Sequence, residues 1–318
     1  MLTLQKFNEA RERLYNKVHY TPLLTSITLN EQVGASVFVK AEHLQKTGSF
    51  KIRGAMNRVL KAKENGALQV ITASSGNHGQ AVAYAARSLG MKAIIVVPKN
   101  VIAAKERAIK SYGGEVIHCG TTSEERLDYA RRLIKELEGA EYIPPYDDYE
   151  IMAGQGTVGI EILELIQSPE VVVVPIGGGG LISGIASAVK RMNPAIKVIG
   201  VEPITANDTA RSIQAGKRLL VESSSSTIAD GLRASIPGEL TFPFIQTNVD
   251  EVVTVTEAQI QEAFRFYLAR MKQVVEPSGA ATLAALRGGQ IQHQGGNVVL
   301  VASGGNVDLD GMDILLHS

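Results

Sequence analysis

Val171-Val172-Val173-Val174-Pro175-Ile176-Gly177-Gly178-Gly179-Gly180-Leu181-Ile182-Ser183-Gly184 is the stretch from which the fold is read. Its first half is unbroken apolar sequence of strand length, with no polar face to turn toward water. Such a strand is covered on both sides, as in a parallel sheet held between helices. The glycines end it, and an apolar run of helical length continues to Met192. Strand, glycine loop and helix, in that order, form a ligand loop: successive N–H groups at the helix start converge on an anion.

The same alternation extends outward in both directions. Further strand patterns lie at Val37–Lys40, Gln69–Ala73, Ala93–Val97, Glu115–His118, Lys197–Val201, Glu251–Val255 and Val298–Ala302. Helical patterns fall between them at Ala81–Leu89, Ala103–Tyr112, Glu124–Leu137, Thr157–Gln167, Leu181–Met192 and Glu257–Met271. This order predicts an α/β fold built on parallel sheets. A length of 318 residues suits two domains of ordinary size. The paired prolines of Ile143-Pro144-Pro145-Tyr146 continue neither a helix nor a central strand, so a junction is expected there.

Composition narrows the function classes. Lys plus Arg and Asp plus Glu both number 32, and no basic run stands out. No field draws nucleic acid or an anionic membrane, so neither is expected as a partner. The opening Met1-Leu2-Thr3-Leu4-Gln5-Lys6-Phe7 leads an amphipathic helix without the apolar centre of a signal peptide. No apolar run approaches the roughly 20 residues that span a bilayer. Cys119 is the single cysteine, which excludes an intrachain disulfide and a thiolate metal cluster. A reducing, cytoplasmic setting is the expectation.

In open α/β sheets ligands bind beyond the carboxyl ends of the strands. The loops expected there are rich in Gly, Ser and Asn: Ser74-Ser75-Gly76-Asn77-His78-Gly79, Gly177 to Gly180 with the Ser183–Ala188 stretch after it, and Ser303-Gly304-Gly305-Asn306. Glu202 ends the strand that follows the tetraglycine loop, where a ribose-binding acid of a dinucleotide site would sit. No G-x-G-x-x-G can be read through that loop, and no G-x-x-x-x-G-K-[ST] occurs. A monophosphate therefore fits better than a pyrophosphate. Lys51 follows Phe50 and leads an apolar helical run. A single lysine is usually a solvated charge, but burial here would lower its pKa and free the amine as nucleophile or base.

Six strings occur in one order: S-F-K-I-R-G-A from Ser49, S-S-G-N-H-G-Q-A from Ser74, A-G-Q-G-T from Ala153, G-G-G-G-L-I-S-G from Gly177, T-I-A-D-G from Thr227 and S-G-G-N-V-D from Ser303. Together they resemble the fold-type-II pyridoxal-phosphate (PLP) enzymes, and within these the threonine/serine ammonia-lyases, serine racemases and hydroxyaspartate dehydratases. The likeness runs from about Thr21 to Asp308 and is closest to the short members that lack a regulatory domain after the last string.

The resemblance implies a large PLP-binding domain from residues 1–68 and 147–318, with a smaller α/β domain, 69–146, inserted. It implies that Lys51 bonds covalently to PLP and then acts as base on the α-proton. Gly177, Gly178, Gly179 and Gly180 would hold the phosphate, Asn77 the ring 3′-oxygen, Phe50 the ring face and Ser303 the pyridine nitrogen. A hydroxyl at that nitrogen leaves the ring largely unprotonated, which weakens the electron sink and favours prompt loss of a β-hydroxyl. Ser74, Ser75, Asn77 and His78 would receive the substrate carboxylate, and Ser75 matches the opposite-face base of the racemases. Arg126 falls near a racemase arginine that reaches toward substrate; read without the family it is one more charge on a charged helix. Glu202, the Ala206 carbonyl and Asp208 resemble a Mg²⁺ or Ca²⁺ site, although two acids at that spacing read alone as a solvated turn.

One departure concerns the substrate. Ala234 stands where serine racemases often carry a small hydroxyl residue, while Arg233 and Arg126 are cations available to a second carboxylate. The implied reaction is loss of water from a β-hydroxy-α-amino acid, threonine or serine, to give a 2-oxo acid and ammonia, with racemisation possible alongside. Serine racemisation or hydroxyaspartate dehydration as the main activity is the alternative, and a homodimer acting on a small amino acid is expected. A dinucleotide-dependent dehydrogenase and a catalytically silent amino-acid-binding module are the rivals from other classes.

Overall fold

The computed structural model describes residues 2–316. Ten strands form two sheets: β1 (Leu23–Thr25), β2 (Ser36–Lys40), β3 (Gln69–Ala73), β4 (Lys92–Val97), β5 (Glu115–His118), β6 (Ala140–Tyr142), β7 (Val171–Pro175), β8 (Lys197–Pro203), β9 (Glu251–Val255) and β10 (Asn297–Val301). The larger sheet runs β1-β2-β10-β7-β8-β9 and the smaller β5-β4-β3-β6. Pairing is parallel throughout, apart from the antiparallel edge pair β1–β2.

β7 shows why its sequence is apolar without interruption. Val171 and Val173 enter a core with Val37, Val39, Ile199, Val201 and the helices Glu257–Phe266 and Pro277–Arg287. Val172 and Val174 enter a second core with Val158, Ile162, Ile182 and Ile185 on the opposite face. Successive side chains of a strand point to opposite faces, so both parities must be apolar when both faces are covered. The smaller sheet repeats the plan, with Val70 and Ile95 on one side and Ile71, Ile94 and Val96 on the other.

The Lys51–Glu64 helix joins the two halves. Its apolar face (Ile52, Ala55, Met56, Val59) packs into the smaller sheet's core together with Ile151 of the Tyr149–Leu165 helix. That second helix begins at Tyr149 rather than Thr157, because the Asp148 side chain caps it by accepting from the Glu150 and Ile151 N–H groups. Its glycines serve close packing, the feature that hid it in the sequence: a Cβ on Gly154 would lie 2.7 Å from the Arg53 carbonyl oxygen. Among the described residues no helix is long and apolar enough to cross a membrane.

Candidate active site

The loops after β3 and β10 meet through Asn77 and Asn306, the loop after β7 packs on Tyr146, and the turn that opens the Lys51 helix lies against the end of β10. Ser49 bridges to Gly304, and the Phe50 N–H donates to the Ser303 carbonyl oxygen at 3.0 Å. These backbone bonds fix Lys51, the first residue of its helix, beside the end of β10. The Phe50 ring packs on the core that includes Val174 and Ile176, and the Lys51 amine stands 5.3 Å from its centroid.

Lys51 Nζ donates to the Pro145 carbonyl oxygen at 2.8 Å. Burial of the amine lowers its pKa to about 8, and the Glu276 carboxylate opposes that shift. The residue keeps some surface, but the surroundings of the amine are those of an interior.

The Ser74–Gly76 loop turns sharply into the Asn77–Ser88 helix. A Cβ on Gly79 would lie 2.2 Å from the Ser74 carbonyl oxygen, so only glycine lets the turn fold back on the helix. Ser74 and Ser75 are half-buried at its opening. Asn77 is held at both ends of its amide. Nδ2 donates to Glu276 Oε1 at 2.8 Å, and Oδ1 accepts from Asn306 Nδ2 at 2.8 Å. His78 is buried and its Nε2 meets the Ile143 carbonyl oxygen at 3.1 Å. That contact requires the proton on Nε2. Burial, helped by the Lys51 charge, pushes the His78 pKa down to about 3, so the ring is neutral. The donor that His78 retains for a ligand is its main-chain N–H in the first helical turn.

The tetraglycine loop opens the Gly180–Met192 helix, with Gly179 left-handed at φ +91°. A Cβ on Gly178 would come within 2.4 Å of the Tyr146 ring, and one on Gly177 within 2.8 Å of the Gly231 carbonyl oxygen. The Thr241 hydroxyl donates to the Gly178 carbonyl oxygen at 2.8 Å. A cradle of main-chain N–H groups at a helix start fits a phosphate monoester. With a desolvated amine at Lys51, a clamped amide at Asn77 and the buried Ser303, the residues present fit PLP.

Glu202 and Asp208 are both fully buried. Glu202 accepts from the Thr209 and Ala210 N–H groups at 2.9 Å each. Neither Asp208 carboxylate oxygen has a hydrogen-bond partner among the described residues. Burial lifts the Glu202 pKa to about 8, reinforced by the Asp208 charge, and burial lifts Asp208 to about 7. A solvated turn does not have this burial. A hard cation would supply what the orphaned oxygens lack, and two carboxylates beside the Ala206 backbone suit one. Among the described residues, groups of three or more His, Cys, Asp or Glu placed for a metal do not occur.

Arg126 lies on the Ser123–Glu136 helix and bonds locally, to the Thr121 carbonyl oxygen and to Ser123 Oγ. Arg233 donates Nε and Nη2 to the Thr227 carbonyl oxygen, which clamps its own loop. Between the two halves, Lys105 on the Ala103–Ser111 helix pairs with Asp230 of the T-I-A-D-G string.

Sequence reading leaves Glu276 unmentioned and does not show that Asn306 holds Asn77, that Pro145 accepts from Lys51 or that Tyr146 packs on Gly178. Glu276 did carry a signal, since it precedes Pro277 at a helix start. An acid in that place is ordinarily an exposed cap, and nothing local shows that this one is buried. Also unforeseen was the ion network behind Lys51. Arg53, fully buried, donates Nε to Glu42 at 2.8 Å and Nη1 to Glu161 at 2.6 Å, while Lys40 Nζ reaches Glu161 at 2.6 Å.

Comparison with known proteins shows the family. The family model described as pyridoxal-phosphate dependent enzyme matches residues 14–304. A serine racemase of Dictyostelium discoideum is 41% identical over 99% of this chain and 98% of its own. An L-threo-3-hydroxyaspartate ammonia-lyase of Pseudomonas sp is 43% identical over 95% and 94%. The solved structure of maize serine racemase superposes with a TM-score of 0.93 at 40% identity, covering 98% of this chain and 95% of that one.

Proposed function

Since this chain belongs to the family of pyridoxal-phosphate-dependent enzymes, we propose that it removes water from a β-hydroxy-α-amino acid, threonine or serine, releasing a 2-oxo acid and ammonia, with racemisation of the same substrate alongside. The observation that carries this reading is the enclosed Lys51 amine, lowered to about 8, at a loop junction that also holds the buried Ser303. When bound, PLP supplies a carbonyl that condenses with amines and a ring that withdraws electrons from the α-carbon. Lys51 supplies the amine that holds the cofactor and afterwards takes the α-proton. The Gly177–Gly180 N–H groups hold the phosphate at the helix start. Asn77 donates to the ring oxygen, and Phe50 packs near the ring. Ser303 would offer the ring nitrogen a hydroxyl rather than a carboxylate, a partner suited to elimination.

Ser74, Ser75 and the main-chain donors of Asn77 and His78 receive the substrate carboxylate, and Ser75 is the acid/base of the second face. Arg126, bonded here to Thr121 and Ser123, is assigned to the substrate by the family pattern alone. A second reading has hydroxyaspartate as substrate, which Ala234 and the cations Arg126 and Arg233 favour although both arginines are bonded locally here, or serine racemisation as the main activity, which Ala234 disfavours. Glu202, the Ala206 carbonyl and Asp208 bind Mg²⁺ or Ca²⁺, as the orphaned Asp208 oxygens suggest. The chain divides into residues 1–68 with 147–318 and the inserted 69–146, works as a homodimer, and resides in the cytoplasm.

The deciding experiment uses the purified protein with PLP. A visible band abolished by borohydride is expected, together with 2-oxo acid release across a panel of L- and D-serine, threonine and the hydroxyaspartates. A protein that takes up no reducible PLP would overturn the reading, and a preference for hydroxyaspartate would select the second one.

A further inference from the structure

Glu276 is a buried carboxyl that the proposed chemistry leaves without a task. It is 4% exposed, and its main-chain N–H is tied to the Gly304 carbonyl oxygen. Its side chain points at the cofactor loops: a Cβ on Gly304 would lie 2.4 Å from Oε1, and the Lys51 amine feels its charge. The charged groups around it are Lys51, Lys105 and Asp230. A buried carboxyl costs stability unless its bonds serve something else.

What Oε1 does is accept one N–H of the Asn77 amide. The amide's other end is fixed too, because Asn306 Nδ2 donates both to Asn77 Oδ1 and to the Thr47 carbonyl oxygen at 2.8 Å. Asn306 thus has both amide hydrogens committed, and Asn77 cannot turn over without setting N–H against N–H on one side and oxygen against oxygen on the other. An asparagine amide offers a ligand either a donor or an acceptor. This one has its oxygen occupied and a single N–H remaining.

We propose that Glu276, with Asn306 as its counterpart, is a positioning residue that locks Asn77 into the orientation in which it can only donate to the bound cofactor. The inference deepens the PLP reading and rests on it. A locked donor holds electron density on the cofactor oxygen that it faces. A free amide would present its oxygen part of the time and repel that group.

The test uses the full chain titrated with PLP, with absorbance, affinity and thermal melting as readouts. Glu276→Leu removes the acceptor at similar volume. It should weaken PLP binding about tenfold, the scale of one lost hydrogen bond at a buried group. It should also shift the visible band in the same direction as Asn77→Ala. The cofactor-free protein should melt at or above the wild-type temperature, because a buried carboxyl has gone. A merely structural role gives the opposite, a lower melting point with an unshifted band. Glu276→Gln should recover most of the affinity, since an amide oxygen also accepts. In an Asn77→Ala background, Glu276→Leu should add nothing further.

If Glu276→Leu does not fold, Asn306→Ala at a half-exposed position decides in its place, with the same band shift and weaker binding expected. Wild-type affinity and spectrum in whichever variant folds, or losses fully additive with Asn77→Ala, overturn the proposal. Failure of the PLP reading looks different, because the wild-type chain itself would then bind no cofactor.

Discussion

The Lys51 amine donates to the carbonyl oxygen of Pro145 at 2.8 Å, so a neutral acceptor rather than a carboxylate holds the central amine of the site. The distinction is chemical. A carboxylate partner would stabilise the ammonium and raise the pKa, whereas a carbonyl accepts an N–H from charged and neutral amine alike. The Pro144-Pro145 break supplies that carbonyl where no ladder continues. With burial lowering the pKa to about 8, a useful fraction of Lys51 is unprotonated near neutrality.

A pH dependence follows for cofactor capture. The rate at which the cofactor-free protein forms its borohydride-reducible bond should rise with pH and reach half its limit near 8, followed by absorbance after mixing with PLP. Lys51 is charged in the unfolded chain up to its ordinary 10.5 but loses its proton near 8 when folded. Between those values the unfolded state binds more protons, so the Lys51 contribution to stability rises with pH across that window. A capture rate that still climbs steeply beyond pH 10 would show an amine left in water.

Lys51→Ala should abolish both turnover and the reducible chromophore, because it removes the desolvated amine that holds the cofactor. Measured by 2-oxo acid release and by the visible spectrum, activity should fall by at least about a thousandfold. Normal turnover without an added amine would remove Lys51 from the mechanism.

Ser75→Ala separates the two proposed activities. Dehydration of the L-substrate needs a base on one face, while inversion needs a proton returned from the other. Racemisation should therefore fall far more than 2-oxo acid formation when both are followed on one sample. Equal loss of the two would leave Ser75 as a carboxylate-binding or structural hydroxyl.

Much of this was legible in the sequence, for physical reasons that can be named. β7 read correctly because burial on both faces forces every residue to be apolar, and the glycine loop read correctly because backbone approach leaves no choice of residue. β1 and β6 escaped because they are three residues long, too short for any period to show. The start of the Tyr149–Leu165 helix escaped because glycines, poor helix formers in isolation, are used there for close packing. At the site, Asn306 stands inside one of the six strings, but its bond to Asn77, like those of Glu276 and Pro145, joins residues far apart in sequence and leaves no local signal. Arg53 sits inside a string that was noticed, yet its two carboxylate partners lie 11 and 108 residues away.

That arginine carries a stability prediction. Arg53→Met leaves Glu42 and Glu161 facing one another with only Lys40 to share, all of them buried or nearly so. Removing one partner from a buried ion pair typically costs about 3–5 kcal/mol. Denaturant unfolding should show a loss of that size. Because the network braces the helix that begins at Lys51, PLP affinity should fall with it. A variant as stable as the wild type would mean that water or rearrangement satisfies the two acids.

The cation proposed at Glu202 and Asp208 makes the last prediction. The site lies at the end of β8, one strand from the tetraglycine loop, and ties that strand to the Asp208–Ala215 helix. Tyr146, which packs against Gly178, also feels the Asp208 charge. A cation here would therefore act on the shape of the phosphate cradle, and its place in the fold gives it no Lewis-acid task on the substrate. Chelation should lower both activity and melting temperature, and added Mg²⁺ or Ca²⁺ should restore them by binding the native state preferentially. At a hundredfold excess over the dissociation constant the restored stability is about 2.7 kcal/mol. Glu202→Gln should erase the response while Lys51 still forms its reducible bond with PLP. That separation distinguishes an organising cation from a catalytic one. Protein verified metal-free by elemental analysis, with unchanged rate and melting point, would return these carboxylates to a purely structural pair.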